Sequence, residues 1–228
     1  MKYKITILAF IAALIVVAMS CTMEKSTTGF INGHEYVDLG LSVKWAAMNV
    51  EASSPSGYGR YFAWGETCTK REYTEKNSKC YNNSSYCRDI GGDPSTDVAR
   101  AYWGGSWRMP TKDEFDELLY ECAWTVDIVM GRIGYCVTGP NGNSIFLPAA
   151  GYRRGSLLYQ EDEYGYYWCS MPDEPGVVRT SDMNGNILSE DPAPFRLAYC
   201  LDLHMEEEWR YTSTRLLSDG LPVRPVSD

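Results

Sequence analysis

The cysteines are the residues of this chain whose type and spacing could most directly do chemistry. There are eight of them, at Cys21, Cys68, Cys80, Cys87, Cys122, Cys136, Cys169 and Cys200. None forms a Cys-x-x-Cys pair, the spacing typical of zinc sites and redox dithiols, so the sequence argues against both. In an exported chain disulfides are the more natural use. The leading candidate pair is Cys122, at the end of a predicted helix, with Cys136 in the strand that follows.

The start of the chain predicts export. Lys2 and Lys4 precede a run from residue 5 to residue 19 that is apolar apart from one threonine. This run is shorter than the roughly 20 residues that a spanning helix needs. A basic start followed by a short apolar run is typical of a secretory signal peptide. We therefore expect residues 1–20 to be a signal peptide.

The end of this segment resembles a bacterial lipobox, since residues 17–21 read VAMSC. The resemblance implies cleavage before Cys21 and acyl chains on that residue, each buried methylene contributing about 0.8 kcal/mol to membrane anchoring. We expect residues 21–29 to be a tether to the membrane and residues 30–228 to form one domain. An ordinary signal with an incidental cysteine is the alternative.

The balance of charge excludes some functions. The 30 Asp and Glu outnumber the 21 Lys and Arg, for a net charge of −9 with no basic run, which argues against nucleic-acid binding. The acidic stretches 161–163 and 206–208 are typical of solvated surfaces, and Asp89, Asp93 and Asp97 lack the ligand spacing of calcium loops. We therefore predict no metal and no cofactor, with Asp97 or the residue before it capping a short helix.

Local patterns predict both helices and strands. Residues 111–114 (TKDE) form a capping box, in which Thr111 and Glu114 each accept from the other's amide. The apolar residues of one helix face follow, at Phe115, Leu118, Leu119 and Cys122. Alternating apolar residues predict strands, and residues 140–143 (PNGN) are typical of a hairpin turn. Short helices, many short strands and long irregular connections place the chain in the α+β class.

Six motifs occur in an order that resembles a known family. They are residues 37–46 (VDLGLSVKWA), 61–66 (YFAWGE), 103–111 (WGGSWRMPT), 143–153 (NSIFLPAAGYR), 165–168 (GYYW) and 223–226 (VRPV). Together they resemble the Fibrobacter succinogenes major paralogous domain of exported Bacteroidota proteins, which is similar to the C-type-lectin-like fold. The resemblance implies a single C-type-lectin-like domain with small twisted antiparallel sheets, one or two helices, long irregular loops and adjacent termini.

The resemblance also implies roles for motif residues. The first and last motifs should meet, with residues 43–45 beside residues 223–226. Four tryptophans are expected to be structural rather than ligand-contacting, namely Trp45, Trp64, Trp107 and Trp168. Arg108 is expected to be structural too, as the buried partner of a carboxylate such as Glu66.

An enzymatic role is one alternative that the resemblance raises. The formylglycine-generating enzymes have a similar fold but use a reactive cysteine pair only a few residues apart near the C-terminus. Here the late cysteines Cys169 and Cys200 are far apart in sequence, and neither histidine lies in a nucleophile motif. We therefore predict no catalytic residue and no enzymatic activity.

The aromatic residues favour a binding role instead. The chain has 17 Tyr and 7 Trp, residues that stack on sugars and pack against protein partners. The candidate ligand-contact loop consists of Tyr152, Arg154, Tyr159, Tyr164 and Tyr166. We expect a lipid-anchored binding module of the cell envelope, with the outer membrane or cell surface favoured over the inner membrane, and with a glycan or an envelope protein as ligand. A structural or adhesive subunit of a surface filament or complex is the other alternative.

The lipid-anchor prediction can be tested at Cys21 itself. Cys21→Ala removes the thiol that would carry the acyl chains, so we expect the variant to lose labelling by a fatty-acid analogue and to stay uncleaved or become soluble. Metabolic labelling and membrane fractionation measure both, and Cys68→Ala is the control. A Cys21→Ala protein that still carries label and partitions with membranes would contradict the lipoprotein interpretation.

Overall fold

The computed structural model describes residues 27–81, 83–86, 88–174, 177–181, 183, 186–192 and 196–228. The predicted signal peptide, the predicted anchor residue Cys21 and the thiol of Cys87 lie outside these residues. The first strand begins at Thr28, inside the segment that the sequence predicts as a tether, because residues 28–31 pair with the next strand.

The described residues form two α-helices, α1 (Val98–Trp103) and α2 (Lys112–Glu121). The strands are β1 (Thr28–Ile31), β2 (His34–Val37), β3 (Lys44–Ala46), β4 (Ala123–Val129), β5 (Arg132–Thr138), β6 (Ser144–Pro148), β7 (Tyr152–Arg154), β8 (Leu157–Tyr159), β9 (Tyr164–Pro172), β10 (Val177–Ser181), β11 (Ile187–Pro192), β12 (Leu197–His204), β13 (Arg210–Leu216) and β14 (Val226–Ser227). The prediction of an α+β chain with many short strands is confirmed.

The strands pair antiparallel into several small sheets. One sheet has the order β1-β2-β3-β14, a second the order β4-β5-β6, and a third the order β13-β12-β9. The pairs β7–β8 and β10–β11 form separate hairpins. Because each sheet is small and open, the domain is held together by packing between the sheets and against α2.

The two ends of the domain meet in the first sheet. Val226 in β14 lies opposite Trp45 in β3, and the neighbouring pair continues the antiparallel register. This pairing confirms that residues 43–45 lie beside residues 223–226. The last strand is therefore held by the third, across nearly the whole length of the domain.

Both helices begin at side chains that cap their first turn. The Asp97 carboxylate accepts from two amides at the start of α1, at 2.8 and 3.1 Å. At α2, the Thr111 hydroxyl accepts from the Glu114 amide at 3.2 Å, and the Glu114 carboxylate accepts from the Thr111 amide at 2.8 Å. The predicted capping box is confirmed, and with it the start of α2.

The sheet formed by β9, β12 and β13 has hydrophobic core on both of its faces. Side chains alternate along a strand, so Tyr167 of β9 faces one way and Trp168 the other. The Tyr167 face packs against α2, β5 and β6. The Trp168 face packs against residues 62–64 and 221–223. The central position of this sheet explains why β9 is buried along most of its length.

The four tryptophans that are predicted to be structural are fully buried, namely Trp45, Trp64, Trp107 and Trp168. Three of them also donate an indole N–H to a backbone carbonyl at 2.8 Å. Trp64 donates to Cys169, Trp107 to Ile31 and Trp168 to Phe62. Buried indoles with hydrogen-bonded N–H groups fix the positions of the segments that they join.

Arg224 is a fully buried guanidinium that joins three parts of the chain. Its Nη1 donates to the carbonyls of Ala46 and Ala47 at 3.0 and 2.9 Å. Its Nε donates to Oδ1 of Asn49 and its Nη2 to the carbonyl of Phe146, both at 2.8 Å. Burial lowers the pKa of Arg224 to about 10, so the group remains charged at neutral pH.

The predicted disulfide between Cys122 and Cys136 is not formed, because both residues are free thiols in the structure. The reason is the register of the β4–β5 hairpin, which places Thr125 opposite Cys136. Cys122 ends α2 before β4 begins. About 10 Å of strand therefore separates it from the position facing Cys136, which is more than a disulfide can span.

Arg108 has a different carboxylate partner from the one that the sequence suggested. Its Nη2 lies 2.6 Å from Oε1 of Glu114 and 2.7 Å from Oδ1 of Asp228. Glu66 is bound instead by Lys70, at 2.7 Å. The capping box explains the difference, since it turns the Glu114 carboxylate back toward the segment that carries Arg108.

The role of Arg224 predicts a large loss of stability when it is replaced. Arg224→Met removes the donors to four buried acceptors, so we expect it to cost about 3 kcal/mol or more and to lower Tm by about 10 °C. The control is Arg60→Met, an exposed arginine with a 3.9 Å contact to Glu51, which should cost about 0.5 kcal/mol or less. Thermal denaturation with equal shifts in the two variants would contradict the assignment.

Candidate functional site

The predicted contact residues come together on one surface, which we call the tyrosine face. Its residues are Tyr152, Arg154, Tyr159, Tyr164, Tyr166, Asp202, His204, Tyr211 and Arg215. They come from the β7–β8 hairpin and from one face of the sheet formed by β9, β12 and β13. Two stretches of sequence that are far apart in the chain, residues 152–166 and 202–215, therefore build one surface.

The β7–β8 hairpin supplies the first pair of rings. Tyr152 and Tyr159 are directly opposite each other in the hairpin register, and their rings stack with centroids 5.5 Å apart. Gly151 makes this possible, because it has a φ of +59° and a Cβ at its position would lie 2.1 Å from the carbonyl oxygen of Tyr159. The glycine that opens the GYRRG segment is thus required by the close approach of the hairpin to its own backbone.

Strand β9 supplies the second pair. Tyr164 and Tyr166 are two residues apart in the strand and so share a face, with rings parallel and centroids 5.9 Å apart. Tyr166 also packs edge-on against Tyr152 at 5.5 Å, which joins the strand to the hairpin. The four tyrosines form one continuous set of ring contacts.

The prediction of a ligand-contact loop is wrong for all four tyrosines, because each of them lies in a strand. Tyr166 lies in a strand, is only 2% exposed, and donates its hydroxyl to Oε1 of Gln160 at 2.9 Å, so it supports the face from below. Tyr164 begins the same strand and is half-buried. Tyr159 is the most exposed of the four, at 39%. The rings are held by strand pairing, not by a loop.

Arg154 is fixed by an ion pair. Its Nε and Nη2 donate to the two oxygens of the buried Asp219 carboxylate, both at 2.8 Å. This two-point contact places the guanidinium 5.3 Å from the centre of the Tyr152 ring. The negative charge of Asp219 compensates the positive charge of Arg154, and hydrogen bonding to that carboxylate raises the pKa of Arg154.

Arg215 also contacts the ring of Tyr152, together with that of Tyr166. Its guanidinium carbon lies 3.8 Å from the centre of the Tyr166 ring and 4.4 Å from that of Tyr152. Among the residues that the structure describes, its guanidinium has no hydrogen-bond acceptor and no ion-pair partner within 4 Å. Tyr152 thus contacts two guanidinium groups, of which one is ion-paired and one is not.

His204 forms the other end of the tyrosine face. Its ring packs edge-on against Tyr164 with centroids 4.5 Å apart. Its Nε2 lies 3.2 Å from the hydroxyl of Tyr211, and its Nδ1 lies 3.2 Å from Oε2 of Glu207. Trp209, 63% exposed, extends this end, with its ring 6.2 Å from that of His204.

Asp202 lies beneath this end of the face and is 6% exposed. Its Oδ1 lies 3.3 Å from Nε2 of His204, an ion-pair distance when the histidine is protonated, but accepts no well-formed hydrogen bond from a described residue. Burial raises the pKa of Asp202, and the charges of Arg215 and His204 oppose that rise. In the sheet register Asp202 is directly opposite Tyr166, the residue whose ring contacts Arg215.

A cleft of about 380 Å³ opens beside Tyr164. Its other lining residues are Ile133, Asp162, Glu163, Met205, Glu206 and Glu207. The volume suits a small polar ligand, and the lining includes both apolar side chains and carboxylates. The two acidic stretches, which the sequence predicts as solvated surface, meet in this cleft.

The aspartates of the 89–97 segment serve turns and a helix cap. Asp89 accepts from the Gly91 amide at 2.8 Å, and Asp93 accepts from the Ser95 amide at 2.9 Å. Asp97 caps α1. In the part of the chain that the structure describes, no three or more His, Cys, Asp or Glu side chains are grouped so as to hold a metal ion.

Sequence reasoning missed the part of the tyrosine face that comes from β12 and β13. The missed residues are Asp202, His204, Tyr211 and Arg215. A signal for them was present, because the β13 sequence RYTSTRL places Tyr211 and Arg215 on one face by strict alternation. Knowing that this face meets Tyr166 requires the register of the sheet.

The structure predicts a large loss of stability when a buried aromatic residue is replaced and a small loss when an exposed one is replaced. Trp168→Ala removes a fully buried indole that is hydrogen-bonded to Phe62, so we expect a cost of about 3 to 5 kcal/mol. Tyr159→Ala should cost about 1 kcal/mol or less, because the ring is 39% exposed. Denaturant unfolding measures both free-energy changes. A larger loss at Tyr159 than at Trp168 would contradict the exposed position of Tyr159 in the β7–β8 hairpin.

Comparison of the chain with protein-family models, with curated proteins and with solved structures gives no match in any of the three. Within the described residues, neither helix has the length and apolar character needed to cross a bilayer. The tyrosine face and its neighbouring cleft are therefore the features from which a function can be inferred.

Proposed function

We propose that this chain is an exported cell-envelope protein, anchored by lipid on Cys21, whose folded domain binds a glycan through the tyrosine face without catalysing a reaction. The anchor follows from the signal-like start and the lipobox resemblance of residues 17–21. The outer membrane or cell surface is the favoured location. A binding domain held at the surface by a lipid anchor would sample ligand outside the cell.

The observation that carries the binding role is the continuous set of stacked, partly exposed rings on the tyrosine face. Tyr159 is 39% exposed, Tyr211 42% and Trp209 63%. Flat aromatic rings at a surface offer a face to the C–H groups of a sugar, while the nearby hydroxyl, guanidinium and carboxylate groups can bind its hydroxyls. The cleft beside Tyr164 provides a concave site of suitable volume.

The architecture is compatible with the C-type-lectin-like fold that the motifs resemble. Small antiparallel sheets, two helices and long irregular connections are present, and the last strand pairs with the third. In this proposal the domain is a divergent member of that fold, and the tyrosine face is its ligand-binding surface.

The state of the late cysteines supports a binding role over a formylglycine-generating-type activity. Cys169 and Cys200 are both buried, and they lie on opposite faces of the sheet, in different core clusters. Burial raises the pKa of each thiol, which disfavours the thiolate that acts as a nucleophile.

A glycan array probed with the full-length protein in detergent tests the proposal. We expect binding to at least one glycan class, and we expect Tyr159→Ala combined with Tyr164→Ala to weaken it at least about tenfold, because exposed aromatic anchors dominate such contacts. Tyr102→Ala is the matched control. Tyr102 is 38% exposed, close to the 39% of Tyr159, but lies on α1 outside the tyrosine face.

The outcomes separate the alternatives. Equal binding by the double variant and by Tyr102→Ala would show that the tyrosine face is not the contact surface. Absence of glycan binding, together with stable co-purification of envelope proteins that survives the double variant, would favour the structural or adhesive subunit instead.

A further inference from the structure

The two arginines at the Tyr152 end of the face have different capacities to bind a ligand. Arg154 uses Nε and Nη2 on the Asp219 carboxylate. The guanidinium of Arg215 lies against two rings that are nearly perpendicular to each other, with its carbon 3.8 Å from the centre of Tyr166 and 4.4 Å from that of Tyr152. Its N–H groups, for which no described residue supplies an acceptor, match the two oxygens of a carboxylate.

Arg215 is also pre-positioned for such a contact. The rings of Tyr152 and Tyr166 contact the guanidinium from two sides, and the residue is half-buried, so its attraction for an anion is less screened than that of an exposed lysine. No described residue supplies an acceptor to it. A carboxylate on a ligand would fill that role with little loss of side-chain freedom.

The other end of the face has the opposite charge. Asp162, Glu163, Glu206 and Glu207 line the cleft beside Tyr164. Carboxylates there can accept from sugar hydroxyls, but they repel a second negative group. The face therefore runs from the guanidinium of Arg215, which has no ion-pair partner within 4 Å among the described residues, through Tyr166 and Tyr164 to an acidic cleft.

From this polarity we infer that the tyrosine face selects glycans that carry a single carboxylate, such as one uronate on an otherwise neutral sugar chain. Arg215 binds the carboxylate, the rings of Tyr159 and Tyr164 stack on neutral sugar residues, and the acidic cleft accepts hydroxyls and rejects polyanions. This inference rests on the proposed function and adds the ligand class to it.

The test uses the full-length protein on an array that compares three oligosaccharides of equal length. The first carries one uronate, and the second is the same chain with its carboxyl group reduced to an alcohol. The third is an oligogalacturonate in which every residue is charged. We expect the singly charged form to bind at least tenfold more tightly than either of the others at physiological salt. This comparison needs no variant.

Two variants then locate the effect. Arg215→Gln should remove the preference for the charged form over the reduced form, measured as the ratio of the two affinities for the same variant. Asp202→Asn should strengthen binding of the singly charged form several-fold, because Asp202 is a buried acid directly opposite Tyr166 in the sheet register, and the Tyr166 ring carries Arg215. Opposite directions in two neighbouring variants are not expected from general destabilisation.

Equal binding of the charged and reduced forms, or tightest binding of the oligogalacturonate, would overturn the inference. In that case, binding of neutral glycans that depends on Tyr159 and Tyr164 would leave the proposed function standing. If no glycan binds in any form, both the proposed function and this inference fail. A weaker singly charged complex in Asp202→Asn would contradict the electrostatic role of Arg215.

Discussion

The buried guanidinium of Arg224 is the interaction on which the rest of the fold depends. A charged group with no contact with water is stable only if its N–H groups are satisfied, and here the acceptors are an amide side chain and three backbone carbonyls. Those acceptors belong to the end of β3 with the loop that follows it and to β6, so one side chain ties the C-terminal segment to two other parts of the domain. The hydrogen bonds of Val50 to Val223 and of Ala46 to Pro225 strengthen the same junction.

The segment that carries Arg224 also positions the tyrosine face. The Trp168 amide donates to the carbonyl of Pro222 at 3.2 Å, which fixes β9 against this segment. Gly220 exchanges two backbone hydrogen bonds of 2.8 Å with Arg153, which fixes the β7–β8 hairpin. The hairpin and the strand thus share one support, and their tyrosines meet because that support is rigid. The geometry of the tyrosine face and the stability of the fold therefore both depend on the C-terminal segment.

The charges of the tyrosine face are distributed unevenly, and this has a consequence for recognition. The chain as a whole carries a net charge of −9, so an anionic ligand approaches it against repulsion. Arg215 offers a local exception, since the rings of Tyr152 and Tyr166 hold it in place without neutralising it. A surface of this kind gains selectivity from what it repels as much as from what it attracts.

Features that depend on a few neighbouring residues were determined by the sequence alone. The capping box at Thr111 and the Asp97 cap act within one helical turn. Strand β9 follows from its own run of aromatic and apolar residues, whose side chains point to the two faces of the sheet in turn. Other features depend on the register between distant strands and on which segments pack together. They are the carboxylate partner of Arg108, the separation of Cys122 from Cys136 and the position of Arg215. These were decided only by the tertiary structure, because no local pattern encodes contacts between parts of the chain that meet only after folding.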